Sequence, residues 1–130
     1  MRRPTPTSLL YAWHARALAG ERVQFTHEPQ CGFYKRRLVR GGPWVGARIW
    51  LESITDGAGE LVADEVLRCE VDNKAADPLG EWTHICGHPI TQGEFLFLTA
   101  TTRWASAHAP EHPAANPGER VDFLRAPVPF

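Results

Sequence analysis

"FYKRRLVRGGPWVGARIWLE", residues 33–52, decides how this chain is read. Its second half has a period of two: Val45, Ala47, Ile49 and Leu51 alternate with Gly46, Arg48 and Trp50. Successive strand side chains point to opposite faces, so the alternation is that of a half-buried strand. The first half is rich in β-forming residues and can pair with it through Gly41-Gly42, since two glycines suit the positive φ angles of a short hairpin turn.

The same period continues downstream. "ITDGAGE" is a turn, with Asp56-Gly57 as its signal. Leu67, Cys69 and Val71 then face one way and Arg68, Glu70 and Asp72 the other, before Asp72-Asn73 turns the chain. Residues 33–73 therefore read as an antiparallel meander of three or four strands.

Upstream, Thr7 and Ser8 are acceptable N-caps and Gly20 a fitting C′ residue. Leu9, Leu10, Trp13, Ala17 and Leu18 lie between them at helical spacing. Residues 21–32 read as a loop. "AADPLGEWTHICGHP", residues 75–89, reads mostly as loop, with one helical turn around Trp82–Cys86. Thr91 and Glu94 form a capping box, Ile90 and Phe95 occupy staple positions, and Phe97, Ala100, Trp104 and Ala107 line one face of a long helix. Pro110 ends it. The expected fold is one α+β domain over residues 1–109: an N-terminal helix, a small antiparallel meander and a long C-terminal helix. Residues 109–130 contain five prolines, so residues 110–130 are expected to form an extended tail. Val121, Phe123, Leu124 and Phe130 suit a tail that lies against the domain or a partner.

A chain of 130 residues is long enough for one domain with a proper core. Apolar residues make up 43% and charged residues 22%, as in ordinary soluble domains. No run of 18 apolar residues spans a membrane. The stretch "MRRPTPTSLLYAWHARALAGE" is a poor secretory signal, because His14 and Arg16 interrupt its apolar part. Three cysteines without regular spacing do not describe a disulfide scaffold, and the expected setting is a reducing cytoplasm.

The net charge of −1 hides an asymmetry. Residues 1–51 carry nine Lys/Arg against two acids (+7), and residues 52–94 carry two against ten (−8). Such a split suggests charged partners, or two parts of the chain that pair with each other across a sheet.

The chemistry-bearing residues fall into three groups. Cys86 and His88, with His84, His27, Cys31 and Cys69 elsewhere, are the candidates for a metal site or a Cys/His nucleophile. They lack the C-x-x-C spacing of structural zinc sites, and Cys69 is expected in the core. Asp56, Glu60, Asp64 and Glu65 form an acidic surface able to occupy a site meant for nucleic acid. Lys35, Arg36, Arg37, Arg40 and Arg48, interleaved with Trp44 and Trp50, hold the ingredients of a nucleic-acid-binding hairpin: cations for phosphates and rings for bases. The same residues also make cation–π pairs and cross-strand ion pairs, and the strand Val66–Asp72 offers internal acids. No phosphate-binding glycine loop, nucleophile elbow or H-E-x-x-H helix is present. The sequence leaves an enzyme open, advertises none, and calls for no cofactor.

The order R-L-V-R-G-G-P-W-V (residues 37–45), A-R-I-W (47–50), L-R-C-E-V-D (67–72), A-D-P…E-W (76–82) and G-H-P-I-T (87–91) resembles small proteins encoded by bacterial phages and prophages. The resemblance spans roughly residues 31–107. It brings no catalytic residues with it. It implies a bacterial cytoplasmic setting and a binding role: to nucleic acid, to a replication or packaging component, or to a host defence complex. The leading expectation is a non-catalytic binding module that uses the basic aromatic hairpin. The alternative is an anti-CRISPR-like inhibitor that uses the acidic segment, followed by a small Cys/His metal protein or enzyme.

Overall fold

The alternation in residues 45–51 becomes the middle of a four-stranded sheet. A computed structural model describes residues 2–21 and 27–119. Strands β1 (Gly32–Arg37), β2 (Trp44–Glu52), β3 (Val66–Val71) and β4 (Lys74–Ala76) lie antiparallel in sequence order. Helices α1 (Thr7–Leu10), α2 (Ala12–Leu18), α3 (Pro78–Ile85) and α4 (Gln92–His108) complete an α+β fold with a long C-terminal helix.

One face of the sheet is the main core. Val45, Ala47 and Ile49 are buried beside Tyr34 of β1 and Cys69 and Val71 of β3. Trp82 and Ile85 of α3 cover them, and Leu10, Tyr11 and Trp13 pack at the margin. Burying each large side chain here contributes about 1.5–3 kcal/mol. The Trp82 ring meets Trp13 at 5.3 Å and Tyr34 at 5.5 Å, both edge to face.

Several local expectations are corrected. The β1–β2 connection is not a two-residue turn. It contains a type II-like turn at residues 39–42, closed by Gly42 N–H to the Val39 carbonyl (3.0 Å), with Gly41 alone at positive φ (80°). The N-terminal helix is two short pieces broken at Tyr11, and its N-cap is Pro6 rather than Thr7 or Ser8. Leu9 and Leu18 are exposed; the inward residues are Leu10, Trp13 and His14. Gly20 does follow the helix at positive φ, where the N–H groups of Gly20 and Glu21 close on the Ala17 and Arg16 carbonyls as in a Schellman motif. A full helix, α3, replaces the single turn expected around Trp82. Asp77 caps it through a 3.1 Å bond from Gly80 N–H, and Pro78 supplies the preset φ of a first helical position.

The second sheet face carries α4. Thr91 Oγ1 accepts from Glu94 N–H (3.1 Å), as the capping sequence requires. Phe95 meets Phe33 at 5.2 Å and lies against Gly46, where an added Cβ would stand 2.9 Å from its ring. Gly46 thus lets the helix sit close on β2. The helix buries Phe95 and Ala105 against the fold and turns the Phe97, Ala100, Trp104 and Ala107 face to solvent. Residues 113–115 form a 3-10 turn packed on α4, and residues 120–130, with Val121, Phe123, Leu124 and Phe130, lie outside the described residues.

The outer edge of β1 is covered rather than open. Lys35 N–H donates to His88 C=O (3.1 Å), and Ile90 N–H to Phe33 C=O (3.0 Å). His14 Nε2 lies 2.9 Å from the Phe33 and Ile90 carbonyls. The Phe33 N–H lies 3.2 Å from the same nitrogen, so Nε2 meets two carbonyls and one backbone donor. The buried imidazole therefore ties α2 to the sheet edge, which would otherwise offer unpaired backbone groups.

Candidate functional site

Strand register decides what the basic hairpin can do. β1 and β2 pair from Gly32↔Ile49 to Arg37↔Trp44, but β3 pairs with β2 only from Ala47↔Val71 to Glu52↔Val66. The acidic strand therefore ends before Trp44. Among the described residues, those beyond Ala47 toward the turn have β1 as their only strand neighbour.

Arg48 and Trp50 lie within reach of β3. Arg48 Nε is 3.2 Å from Glu70, its register partner, and its guanidinium stacks 4.2 Å from the Trp50 ring centre. Arg68 pairs with Glu52 at 2.6 Å. This end of the hairpin is internally neutralised. Arg36 points to the opposite face, where it pairs with Glu81 of α3; their side chains are only 15% and 23% exposed. The expected grouping of Arg36 with Arg40 is thus corrected, because strand alternation puts Arg36 against α3 and leaves Arg40 in the turn.

Trp44 collects what remains. Arg37, directly opposite in register, holds its guanidinium 4.5 Å from the Trp44 ring centre, and Lys35 Nζ lies at 4.7 Å. His88 meets the same ring edge-on at 5.1 Å. Its place follows from the Lys35–His88 backbone bond that closes the sheet edge. Among the described residues no carboxylate lies within ion-pair distance of Lys35, Arg37 or Arg40. Arg40 is exposed in the adjoining turn. Two like charges held over one ring repel each other, and an anion between them removes that cost. The ring that a nucleobase would stack on is already in contact with cations. The geometry suits phosphate or carboxylate oxygens better than base stacking.

No family model, curated protein or solved structure matches this chain. The site is therefore judged on its own geometry.

The acidic candidates serve local structure. Asp56 Oδ1 accepts from the backbone of Ala58 (2.8 Å) and Glu60 (3.1 Å), with Gly59, not Gly57, at positive φ. Asp64 pairs with Arg2 at 2.9 Å. Glu65 accepts from Ser53 Oγ (2.7 Å) and Thr5 Oγ1 (2.9 Å), and these bonds, led by Ser53, hold its carboxyl below the usual range. These contacts bind the 53–65 loop to the N-terminal segment.

The cysteine candidates do not converge on a metal geometry. Among the described residues no three His, Cys, Asp or Glu side chains form a group able to hold a metal ion. Cys31 and Cys69 lie in the core, where burial raises both thiols, Cys69 to about 12. A thiol so raised is a poor nucleophile at neutral pH. Cys86 packs at the margin of the same core, and His88 faces Trp44. Among the described residues no helix is long and apolar enough to cross a membrane.

His88 was not among the residues expected at the hairpin. It is 44 residues from Trp44 in sequence, and only the covering of the β1 edge brings the two together. In the sequence, H-I-C-G-H makes His88 a metal candidate beside Cys86 instead.

Proposed function

We propose that this chain is a non-catalytic binding module that holds a phosphate-bearing partner, a nucleic acid, at the Trp44 cluster. Lys35, Arg37 and Arg40 supply the charge, and Trp44 and His88 orient it. The observation that carries the reading is the contrast in pairing. Arg36 and Arg48 each have a carboxylate partner, and the three cations around the Trp44 end have none among the described residues. Recognition through backbone phosphates implies little preference for base sequence. The resemblance to phage-encoded proteins supports a module that acts in a bacterial cytoplasm, on nucleic acid or on a complex that holds it.

The test is binding of purified protein to labelled single-stranded DNA, duplex DNA and RNA across a salt series. Three phosphate contacts predict a log–log salt slope of about −2 for single strands and about −3 for duplex. Absence of binding at low salt to all three probes would remove nucleic acid as the partner.

A further inference from the structure

The longest helix turns its most apolar side outward. Phe97 is 69% exposed, Trp104 54% and Leu96 56%, while the opposite side of α4 packs on the sheet. Phe97 and Trp104 are two turns apart and share one face, with Ala100 and Thr101 between them. Thr101 turns its hydroxyl back onto the Phe97 carbonyl (2.8 Å), so the centre of the stripe presents no unmet polar group. His108 and His112 flank Trp104 at 6.3 and 6.2 Å.

This stripe is complementary to itself. A two-fold axis through the midpoint between Ala100 and Thr101 sets Phe97 opposite Trp104 of an antiparallel second helix. Ala100, being small, lets the helices approach. The same operation brings Glu94, in the first turn, within one residue's rise (~1.5 Å along the axis) of His108 of the second copy. Acid then lies beside base at both ends, and the helix dipoles run in opposite directions.

From these features we infer that α4 is a homodimer interface, formed by antiparallel packing of Phe97 and Trp104 of one copy on Trp104 and Phe97 of another, with Glu94 facing His108. The partly exposed aromatics and Leu96 expose roughly 300 Å² per copy, judged from the ~150–250 Å² that an aromatic can bury. A pair would thus bury on the order of 600 Å² of large apolar surface plus a polar rim, below the ~1,200–2,000 Å² of stable interfaces and in the range of weak, transient ones. The dimer is accordingly weak and concentration-dependent, unlike an obligate one.

Sedimentation velocity over a wide concentration range tests this, with circular dichroism to confirm that each variant is folded. The wild-type chain should shift from monomer to dimer in the micromolar range or above. Phe97→Glu, at an exposed position, should weaken dimerisation at least 100-fold. His108→Glu should weaken it several-fold by setting two carboxylates together, and adding Glu94→Lys should restore it. A chain that stays monomeric at every concentration overturns the inference and leaves the stripe to a different partner. So does a dimer that survives Phe97→Glu. A folded His108→Glu variant that Glu94→Lys fails to rescue overturns the antiparallel arrangement.

Discussion

The two tryptophans of β2 sit six residues apart on one face of one strand, each beside arginine, yet their surroundings have opposite charge balances. At Trp50, Arg48 is matched by Glu70 and the neighbouring Arg68 by Glu52. At Trp44, Arg37 and Lys35 lie against the ring without a carboxylate within ion-pair distance among the described residues. The cause is the length of a neighbour. β3 reaches only to Ala47 in its pairing with β2, so its acids accompany one tryptophan and not the other. An aromatic–cation motif is thus neutralised or left charged according to whether an acidic strand runs beside it.

That contrast can be broken most severely at the Trp44 end. The triple variant Lys35→Glu/Arg37→Glu/Arg40→Glu should lose 100-fold or more in nucleic-acid affinity in a low-salt titration, since it reverses every proposed phosphate contact. Its melting should stay cooperative, because none of the three side chains has an ion pair to lose among the described residues. Retained binding would refute the site.

Arg36 supplies the converse control. Arg36→Ala leaves Glu81 largely buried without its partner, which should cost about 1–3 kcal/mol in urea unfolding. Its effect on nucleic-acid binding should be less than two-fold. A large binding defect in a stable Arg36→Ala protein would mean that the phosphate-contacting face has been misassigned.

Glu70→Gln sharpens the comparison by making the Trp50 end resemble the Trp44 end. It releases Arg48 while keeping the shape, and should raise nucleic-acid affinity two- to five-fold in the same titration. The pair is about one-third exposed, so the stability cost should be under ~1 kcal/mol. Unchanged affinity would show that free charge beside a tryptophan is not sufficient.

The smallest effect concerns Asp72, just beyond the end of β3. Burial raises its carboxyl above the ordinary value, with Lys74 opposing the shift. A folded-state pKa above the unfolded one means that the folded chain binds the proton more tightly, so stability falls as pH rises through that interval. Asp72→Asn removes the buried charge and keeps a residue tolerant of positive φ (54° here). It should raise the melting temperature by about 1–3 °C at pH 7, with the gain gone by about pH 3, as thermal melts across pH would show.

Much of the fold was legible because it rests on local rules. Val45 to Leu51 and Leu67 to Val71 alternate strictly, and their inward members are those that the core buries or packs against. The Thr91 cap and the Gly20 stop are stereochemical signals carried by single residues. Helix α3 was not legible as a helix: Asp77-Pro78 marks its start, but its glycine and the nearby prolines point to a loop. At the candidate site, Lys35, Arg37, Arg40 and Trp44 could be named from the hairpin alone, whereas His88 and the neutralised state of Arg36 and Arg48 could not.

By itself the sequence determined which residues share a strand face, where α4 begins and ends and where α2 stops, and that the chain separates a basic first part from an acidic middle. Those properties depend on backbone geometry and composition, which act over a few residues. Only the tertiary structure decided which cations lack a carboxylate partner among the described residues, which side of α4 meets the sheet, and that His14 and residues 88–90 close the β1 edge. Each of these depends on register and docking between segments distant in the chain. Gly46 is the clearest case, because its missing side chain admits Phe95 and so leaves Phe97 and Trp104 facing out.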